Sequence, residues 1–230
     1  MAEQHLQFKP DAALSLREPM ATELGRSVLA DGLMLLNELG LEAFTFRKLA
    51  ARAGCTEVSI YKYFANKQRL LQYHFQLYWL WLRQVAAQEV VRAAGPRDAL
   101  RRVVDVLCGI WPADLPPLHV DPAALRHLVI AEGMKSYMHK HVDDDNARRL
   151  FKPYKDLSAF VADRLLTCRP ELSMPRSFAT TLVEMAHSLP FAMEHLPSLT
   201  ELSETRDPQA LADHLYERTI VYLEHIDTTP

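Results

Sequence analysis

Apolar residues recur at intervals of three and four along most of the chain, a spacing that places them on one face of an α-helix. The clearest stripe runs from Leu70 to Val85, and another runs from Leu211 to Ile226. Strand-like alternation is not sustained, and the sequence contains only 7 glycines for hairpin turns. The pattern therefore predicts an all-α protein.

Capping residues and helix breakers divide the N-terminal part into four predicted helices. The first spans residues 22–39. Two short helices follow at 46–53 and 56–63, and Gly54 between them allows a sharp turn of the chain. A long helix then occupies about 66–93. Two short helices held between longer ones are typical of a helix-turn-helix.

Beyond residue 95, the residues that start, bend or end the predicted helices are mainly prolines and no longer glycines. Further helices are predicted at about 98–110, 121–139 and 146–168, and another opens at Ser173 and Pro175 and is bent at Pro190. The last is predicted at about 207–226. By contrast, residues 1–21 show no sustained periodicity and are predicted to form a flexible N-terminal arm.

Between Thr45 and Leu71, buried and exposed positions separate cleanly. Small or apolar residues such as Leu49, Ile60 and Phe64 occur where two crossed helices would converge. The others are expected to face outward, and they combine cations with hydroxyl groups that hold phosphate oxygens or base edges. This outward set is Arg47, Lys48, Thr56, Glu57, Ser59, Tyr61, Lys62, Tyr63 and Lys67.

Two alternatives stay open for this outward set. Tyr61 could be a packing residue whose hydroxyl lies in solvent, since aromatic rings on short helices are often buried. Arg47, Lys48 and Lys62 could belong to a merely solvated face.

Charge is distributed unevenly along the chain. The formal net charge is −3, which argues against a protein that coats nucleic acid indiscriminately. Between Phe44 and Gln72, however, six basic residues face the single acid Glu57, a local net charge of +5. From Glu194 to the end, eight acids face two arginines, a net charge of −6. One basic surface on an acidic body is suited to meeting a polyanion.

Other classes of site find little support. Cys55, Cys108 and Cys168 form no CxxC pair, so neither a disulfide framework nor a cysteine zinc site is indicated. Histidines and aspartates at 139–145 match no defined metal site, and a solvated loop before Asn146 accounts for them. No signal-peptide layout or apolar run of about 20 residues is present. We expect a cytoplasmic protein without cofactor, metal or membrane partner.

The helix-turn-helix region resembles the tetracycline-repressor (TetR) family of regulators. The family pattern has a glycine at the end of the first helix, then threonine, Leu-Ala, Ala-Gly, a capping hydroxyl, and Tyr-x-x-Phe followed by lysine and leucine. This chain matches in order at Gly40, Thr45, Leu49-Ala50, Ala53-Gly54, Thr56, Tyr61, Phe64, Lys67 and Leu70. The resemblance covers about residues 22–71 and implies a DNA-binding transcription regulator that is not an enzyme.

Carried onto this sequence, the resemblance assigns roles to individual residues. Thr45 and Arg47 would approach the DNA backbone, and Tyr63 and Lys67 would clamp phosphates. The residues implied to enter the major groove are Thr56, Glu57, Ser59, Tyr61 and Lys62. Two positions depart from the pattern, with Cys55 where valine is common and Val58 where a small residue is frequent.

The resemblance also implies a helical domain that binds an effector and dimerises, giving predicted domains at 22–68 and 69–230. Candidates for a pocket that takes a small, largely apolar effector are Trp81, Trp111, His127, Met134, Tyr137, Tyr154 and Met185. Candidates for the dimer interface are Phe178, Leu182, Met185, Leu189, Leu211, Leu215, Thr219 and Tyr222. Alternatively, both sets simply belong to the core of their own subunit.

The sequence therefore favours a homodimeric repressor that binds a palindromic operator in double-stranded DNA and is released by an effector. An enzyme built on a helical bundle is the main rival, but the sequence has no E-x-x-H pair, phosphate loop or nucleophile elbow. An adaptor that dimerises without binding DNA is a third possibility, favoured only by Val58.

Overall fold

The computed structural model describes residues 8–225, apart from the side chain of Met134. Within that range the chain forms ten α-helices and four short 3₁₀ turns, without a β-strand, so the all-α prediction is confirmed. The helices are α1 (Glu23–Ala43), α2 (Phe46–Arg52), α3 (Glu57–Tyr61), α4 (Lys67–Val91), α5 (Pro96–Cys108), α6 (Pro122–Tyr137), α7 (Val142–Ala147), α8 (Lys152–Cys168), α9 (Pro175–His195) and α10 (Pro208–His225). The predicted end of the last stripe at Ile226 lies outside the described residues.

The chain divides into two compact units. One contains the residues up to Trp81 together with Pro117–Tyr154, and the other contains Leu82–Pro116 and the residues from Lys155 onward. The first unit thus includes α6 and α7 as well as the predicted helix-turn-helix. The boundary predicted at 68/69 between a DNA-binding and an effector-binding domain stays a prediction.

A small core in the first unit holds α1, α2 and α3 together. Leu49 of α2, Ile60 of α3 and the following Phe64 are each fully buried, as the pattern predicts. The first helical run of α1 ends at Gly40, as the sequence predicts, because Gly40 has non-helical backbone angles, with φ at 69° and ψ at 163°. Glycine adopts this conformation without steric cost, and a short further helical run reaches Ala43 beyond the kink.

Polar contacts fix α6 against α1 within this unit. The backbone N–H of Leu41, just after the kink, donates to the buried Oε1 of Glu132 at 3.0 Å. One turn earlier in α1, the Nδ2 atom of Asn37 donates to the carbonyl of Ala124 at 2.9 Å. The corner at which α1 leads into α2 is therefore supported from α6.

The prediction of a flexible arm is wrong for residues 8–21, while residues 1–7 lie outside the described part of the chain. Leu14 is 1% exposed, and the N–H of Leu16 donates to the carbonyl of Tyr63 at 2.8 Å. The N–H of Asp11 also donates to Gln76 Oε1 at 2.6 Å. Irregular backbone shows no apolar periodicity even when it packs, so the sequence pattern missed this segment.

The predicted solvated loop at 139–145 is also wrong, because α7 begins at Val142 and Asp145 is buried. Both guanidinium NH groups of Arg69 donate to the Asp145 carboxylate, at 2.8 and 3.0 Å. Gln72 Nε2 adds a third hydrogen bond at 2.9 Å. Burial raises the pKa of Asp145, but the hydrogen bonds from Arg69 and Gln72 outweigh it, so the pKa lies below its usual value.

In the second unit, several predicted dimer contacts belong to the core of this subunit. Leu182, Leu211, Leu215 and Thr219 are each at most 3% exposed within the single chain, so they cannot also meet a partner subunit, and the prediction is wrong for them. The rest, Phe178, Met185, Leu189 and Tyr222, are only partly buried, and for them the interface stays a prediction. The rings of Phe178 and Tyr222 stack at 3.8 Å between centroids.

Candidate nucleic-acid interface

Two threonines set the positions of α2 and α3. Thr45 Oγ1 accepts from the N–H of Lys48 at 3.2 Å, and Thr56 Oγ1 accepts from the N–H of Ser59 at 3.3 Å. Each is the N-cap that the sequence predicts. Gly54, with φ at 63°, makes the turn between the two helices. The predicted helix-turn-helix is therefore present.

The outward face of this motif carries the predicted cations. Arg47 and Lys48 on α2, together with Lys62 just after α3, are exposed, and so is the carboxylate of Glu57. Within residues 8–225, Arg47 and Lys62 form no ion pair with the chain itself. These ammonium and guanidinium groups are available to bind an external anion.

Tyr61 combines the two roles that the sequence left open. Its ring meets the ring of Phe46 edge to face, with centroids 5.0 Å apart, yet 49% of the residue is exposed. Packing against Phe46 restricts the ring, while the remaining surface faces outward. The side chain is thus held in place and accessible to a ligand.

The prediction that Tyr63 faces outward is wrong. The residue is only 3% exposed, and its hydroxyl shares a hydrogen bond with Thr22 Oγ1 at 2.7 Å. The guanidinium of the exposed Arg17 lies over the ring, 5.9 Å from its centroid. This neighbour could not be predicted from the sequence pattern, because Arg17 lies in the N-terminal segment that shows no periodicity.

Lys67 is likewise turned toward the protein instead of toward solvent. Its Nζ atom donates to the carbonyls of Leu41, Glu42 and Phe44, at 2.7, 3.1 and 3.3 Å. These carbonyls lie at the C-terminal end of α1, where a cation is favoured by the helix dipole. Lys67 therefore stabilises the α1–α2 corner. The prediction that it clamps a DNA phosphate is wrong for this structure, because its ammonium group is already engaged.

We expect Lys67→Ala to lower the free energy of unfolding by about 1–2 kcal/mol, because three carbonyl oxygens lose a charged donor. The matched control is Lys62→Ala, which removes an exposed lysine five residues away and should leave stability unchanged within about 0.5 kcal/mol. Urea unfolding followed by tryptophan fluorescence measures both variants. Equal stability of the two would contradict the structural role of Lys67.

Two other basic residues of the region are paired with acids. Arg52 forms hydrogen bonds to both carboxylate oxygens of Glu38, at 2.6 and 2.7 Å, and this pairing raises the pKa of Arg52. Arg69 pairs with Asp145, as described above. Half of the six basic residues thus stabilise the protein, and the outward cations are Arg47, Lys48 and Lys62.

The two positions that depart from the family pattern differ in their surroundings. Cys55 is half-buried at the turn, where burial raises the pKa of its thiol above the usual value. Val58 is 68% exposed on α3. Cys55 thus contributes to packing, whereas Val58 lies on the outer surface.

The predicted effector-pocket residues are spread over both units. Trp81, His127, Met134, Tyr137 and Tyr154 lie in the first unit, and Trp111 and Met185 lie in the second. Trp81 is fully buried, whereas His127 is exposed and its Nδ1 lies 3.0 Å from Asn37 Oδ1. The pocket stays a prediction. Among the described residues, no three His, Cys, Asp or Glu side chains are grouped as metal ligands would be.

Comparison with known proteins tests the resemblance seen in the sequence. Residues 28–73 match the family model of the bacterial regulatory proteins of the tetR family. Over these residues, which include the helix-turn-helix, the chain is similar to that family. No curated protein matches the chain in sequence. Within 8–225, none of the helices is long and apolar enough to cross a membrane.

Solved structures share the TetR-like fold at low sequence identity. AibR, in a complex with isovaleryl coenzyme A and operator DNA, is 14% identical, with a TM-score of 0.59 over 85% of this chain and 97% of its own. The fatty acid degradation regulator FadR from Bacillus halodurans is 16% identical, with a TM-score of 0.61 over 90% and 97%. A transcriptional regulator from Rhodococcus sp. Rha1 is 20% identical, with a TM-score of 0.60 over 91% and 100%. The described helices of this chain thus share the fold of these structures.

Proposed function

We propose that this TetR-family regulator acts as a homodimeric repressor of an approximately palindromic operator. The observation that carries the proposal is the exposed edge of α2 and α3, which presents Arg47, Lys48 and Lys62 together with the ring of Tyr61 that packs against Phe46. Cations hold phosphates, and side chains on the second helix of such a motif reach base edges in the major groove. Bound at a promoter, the dimer would block polymerase.

The remaining charge on the chain supports selective contact with DNA through this edge. The whole protein has a net charge of −3, although the helix-turn-helix region is basic. The basic region therefore attracts a DNA duplex, and the acidic remainder of the chain repels it. The uneven distribution favours one orientation of the protein on the duplex. Among the described residues, Arg47 and Lys62 are exposed cations without an ion-pair partner, and Lys48 Nζ donates only to the carbonyl of Ala43, at 2.8 Å. An adaptor that does not bind DNA would have no need of such an exposed basic edge.

Selection from a random duplex pool tests this function directly. The wild-type chain is expected to recover related sequences with two inverted half-sites, centred about 10 base pairs apart or a multiple of that spacing. A plot of log affinity against log salt concentration should be linear, and its slope should be about −0.9 for each phosphate that the protein neutralises. Recovery of no preferred duplex, or binding that does not depend on salt, would contradict the proposal.

We also propose that a small, largely apolar effector weakens DNA binding. The structure of AibR contains both isovaleryl coenzyme A and operator DNA, which supports an acyl compound as the class to examine first. An effector acts only if it binds the DNA-incompetent state more tightly. Isovaleryl coenzyme A and a free fatty acid of similar chain length are suitable probes. Release of the selected duplex by either probe supports the proposal, whereas tighter binding or no effect of both contradicts it.

A further inference from the structure

Val58 is an exposed apolar residue at the position where the family pattern has a small one. It is 68% exposed in the second position of α3, and a β-branched residue there gains neither helix propensity nor packing. Tyr61 and Lys62 lie three and four residues further on, so the three side chains share one face of the helix. Val58 therefore adds an apolar group to the helix face that carries the exposed ammonium group of Lys62.

The hydroxyl groups beside Val58 are already engaged. The Oγ atoms of Thr56 and Ser59 lie 2.9 Å apart and share a hydrogen bond, and Thr56 Oγ1 also caps the helix. Both residues thus have reduced capacity to form hydrogen bonds with bases. The freely presented groups of α3 are the Glu57 carboxylate, the Val58 isopropyl group and the exposed part of Tyr61.

Glu57 indicates which part of a duplex this end of α3 meets. Its carboxylate is exposed and has no cation partner among the described residues. Phosphate would repel it, whereas the N4 amino group of cytosine can donate to it. An isopropyl group likewise cannot bind phosphate through a hydrogen bond. The first turn of α3 is therefore suited to base edges, not to the sugar–phosphate backbone.

From this arrangement we infer that Val58 recognises a thymine, through the C5-methyl group, in each half-site of the operator. Among the base edges of the major groove, only thymine presents an apolar group, and valine can bury a methyl there. The ring of Tyr61, fixed by Phe46, would flank the same contact. This inference rests on the proposed DNA-binding function and specifies the sequence that it reads.

Replacing thymine by deoxyuridine removes only the methyl group and so tests the contact. In the selected duplex, each thymine is replaced in turn, symmetrically in both half-sites, and affinity is measured by fluorescence anisotropy. We expect one position at which the wild-type chain loses about fourfold affinity per half-site, and about 15-fold for both. In Val58→Ala, the thymine and deoxyuridine duplexes should bind equally well, because alanine cannot reach the methyl group.

The control is Val91→Ala, which truncates a valine that is 86% exposed at the end of α4. This variant should keep the full preference for thymine. If the wild-type chain is insensitive at every position, or Val58→Ala keeps the same preference, the thymine contact is overturned while specific binding itself stands. If no duplex is recovered by selection, the proposed function fails and the thymine contact with it.

Discussion

Replacing Asp145 with alanine is expected to lower the free energy of unfolding by about 3 kcal/mol. The carboxylate is buried, and it accepts hydrogen bonds from Arg69 and Gln72 at 2.8 to 3.0 Å. Its removal leaves the Arg69 guanidinium, with 22% of its side chain exposed, without its partner. Breaking a buried ion pair on one side costs about 3–5 kcal/mol, and the partial exposure of Arg69 places the effect at the lower end.

Asp144→Ala is the matched control, since Asp144 is exposed on the same short helix. It should change stability by less than about 0.5 kcal/mol. Urea unfolding at neutral pH measures both variants. Equal stability of the two would show that the Arg69–Asp145 pair does not hold α7 against α4.

The cost of the Asp145 substitution also depends on pH in a defined direction. Because its folded-state pKa lies below the usual value, the stabilisation is fully present above the unfolded pKa of about 4. It is lost as pH falls through the folded-state pKa. The difference between wild type and Asp145→Asn should therefore shrink in acid, and a constant difference would contradict the pairing.

Reversing the charge of Lys62 is expected to weaken operator binding on the order of 100-fold. Lys62→Glu removes a cation from each subunit of the proposed dimer and places a carboxylate against phosphate. The side chain is exposed, so folding should be unaffected. Anisotropy titration on the selected duplex, at two salt concentrations, measures the loss and a shallower salt dependence.

Lys140→Glu provides the same change of charge outside the helix-turn-helix, in the exposed turn between α6 and α7. Its affinity for the duplex should stay within about threefold of wild type. A comparable loss in both variants would mean that net charge, and not the edge formed by α2 and α3, governs binding. In that case the assignment of Lys62 as a contact would be wrong.

Local sequence signals predicted the elements of the interface well. Thr45 and Thr56 act through bonds to residues three positions away, so their capping role can be read directly from the sequence. Gly54 was predictable for the same reason, because its positive φ serves a turn between adjacent helices. The burial of Leu49 and Ile60 follows from periodicity alone.

Contacts between segments distant in sequence were not predictable in this way. Lys67 bonds to carbonyls 23 to 26 residues away, and the Tyr63 hydroxyl reaches Thr22. A pattern on α3 and α4 shows which residues are polar, but not which of them a neighbouring segment will engage. Lys67 and Tyr63 were for this reason predicted to face outward, although both are turned toward the protein.

The dimer contacts predicted from the C-terminal apolar stripes were wrong at four positions for a related reason. An amphipathic helix must bury its apolar face, but periodicity does not distinguish the core of its own subunit from a partner. Leu211 and Leu215 are buried within the single chain, so a dimer interface on α9 and α10 would use other side chains. Leu189 and Tyr222 remain partly accessible for that role.

The structure of the chain bound to its selected duplex tests the central claim most directly. We predict that α3 of each of two subunits lies in successive major grooves, with Val58 and Tyr61 against base edges and Lys62 against phosphate. A complex in which α3 is turned away from the duplex, or in which DNA contacts a different surface of the chain, would contradict the account.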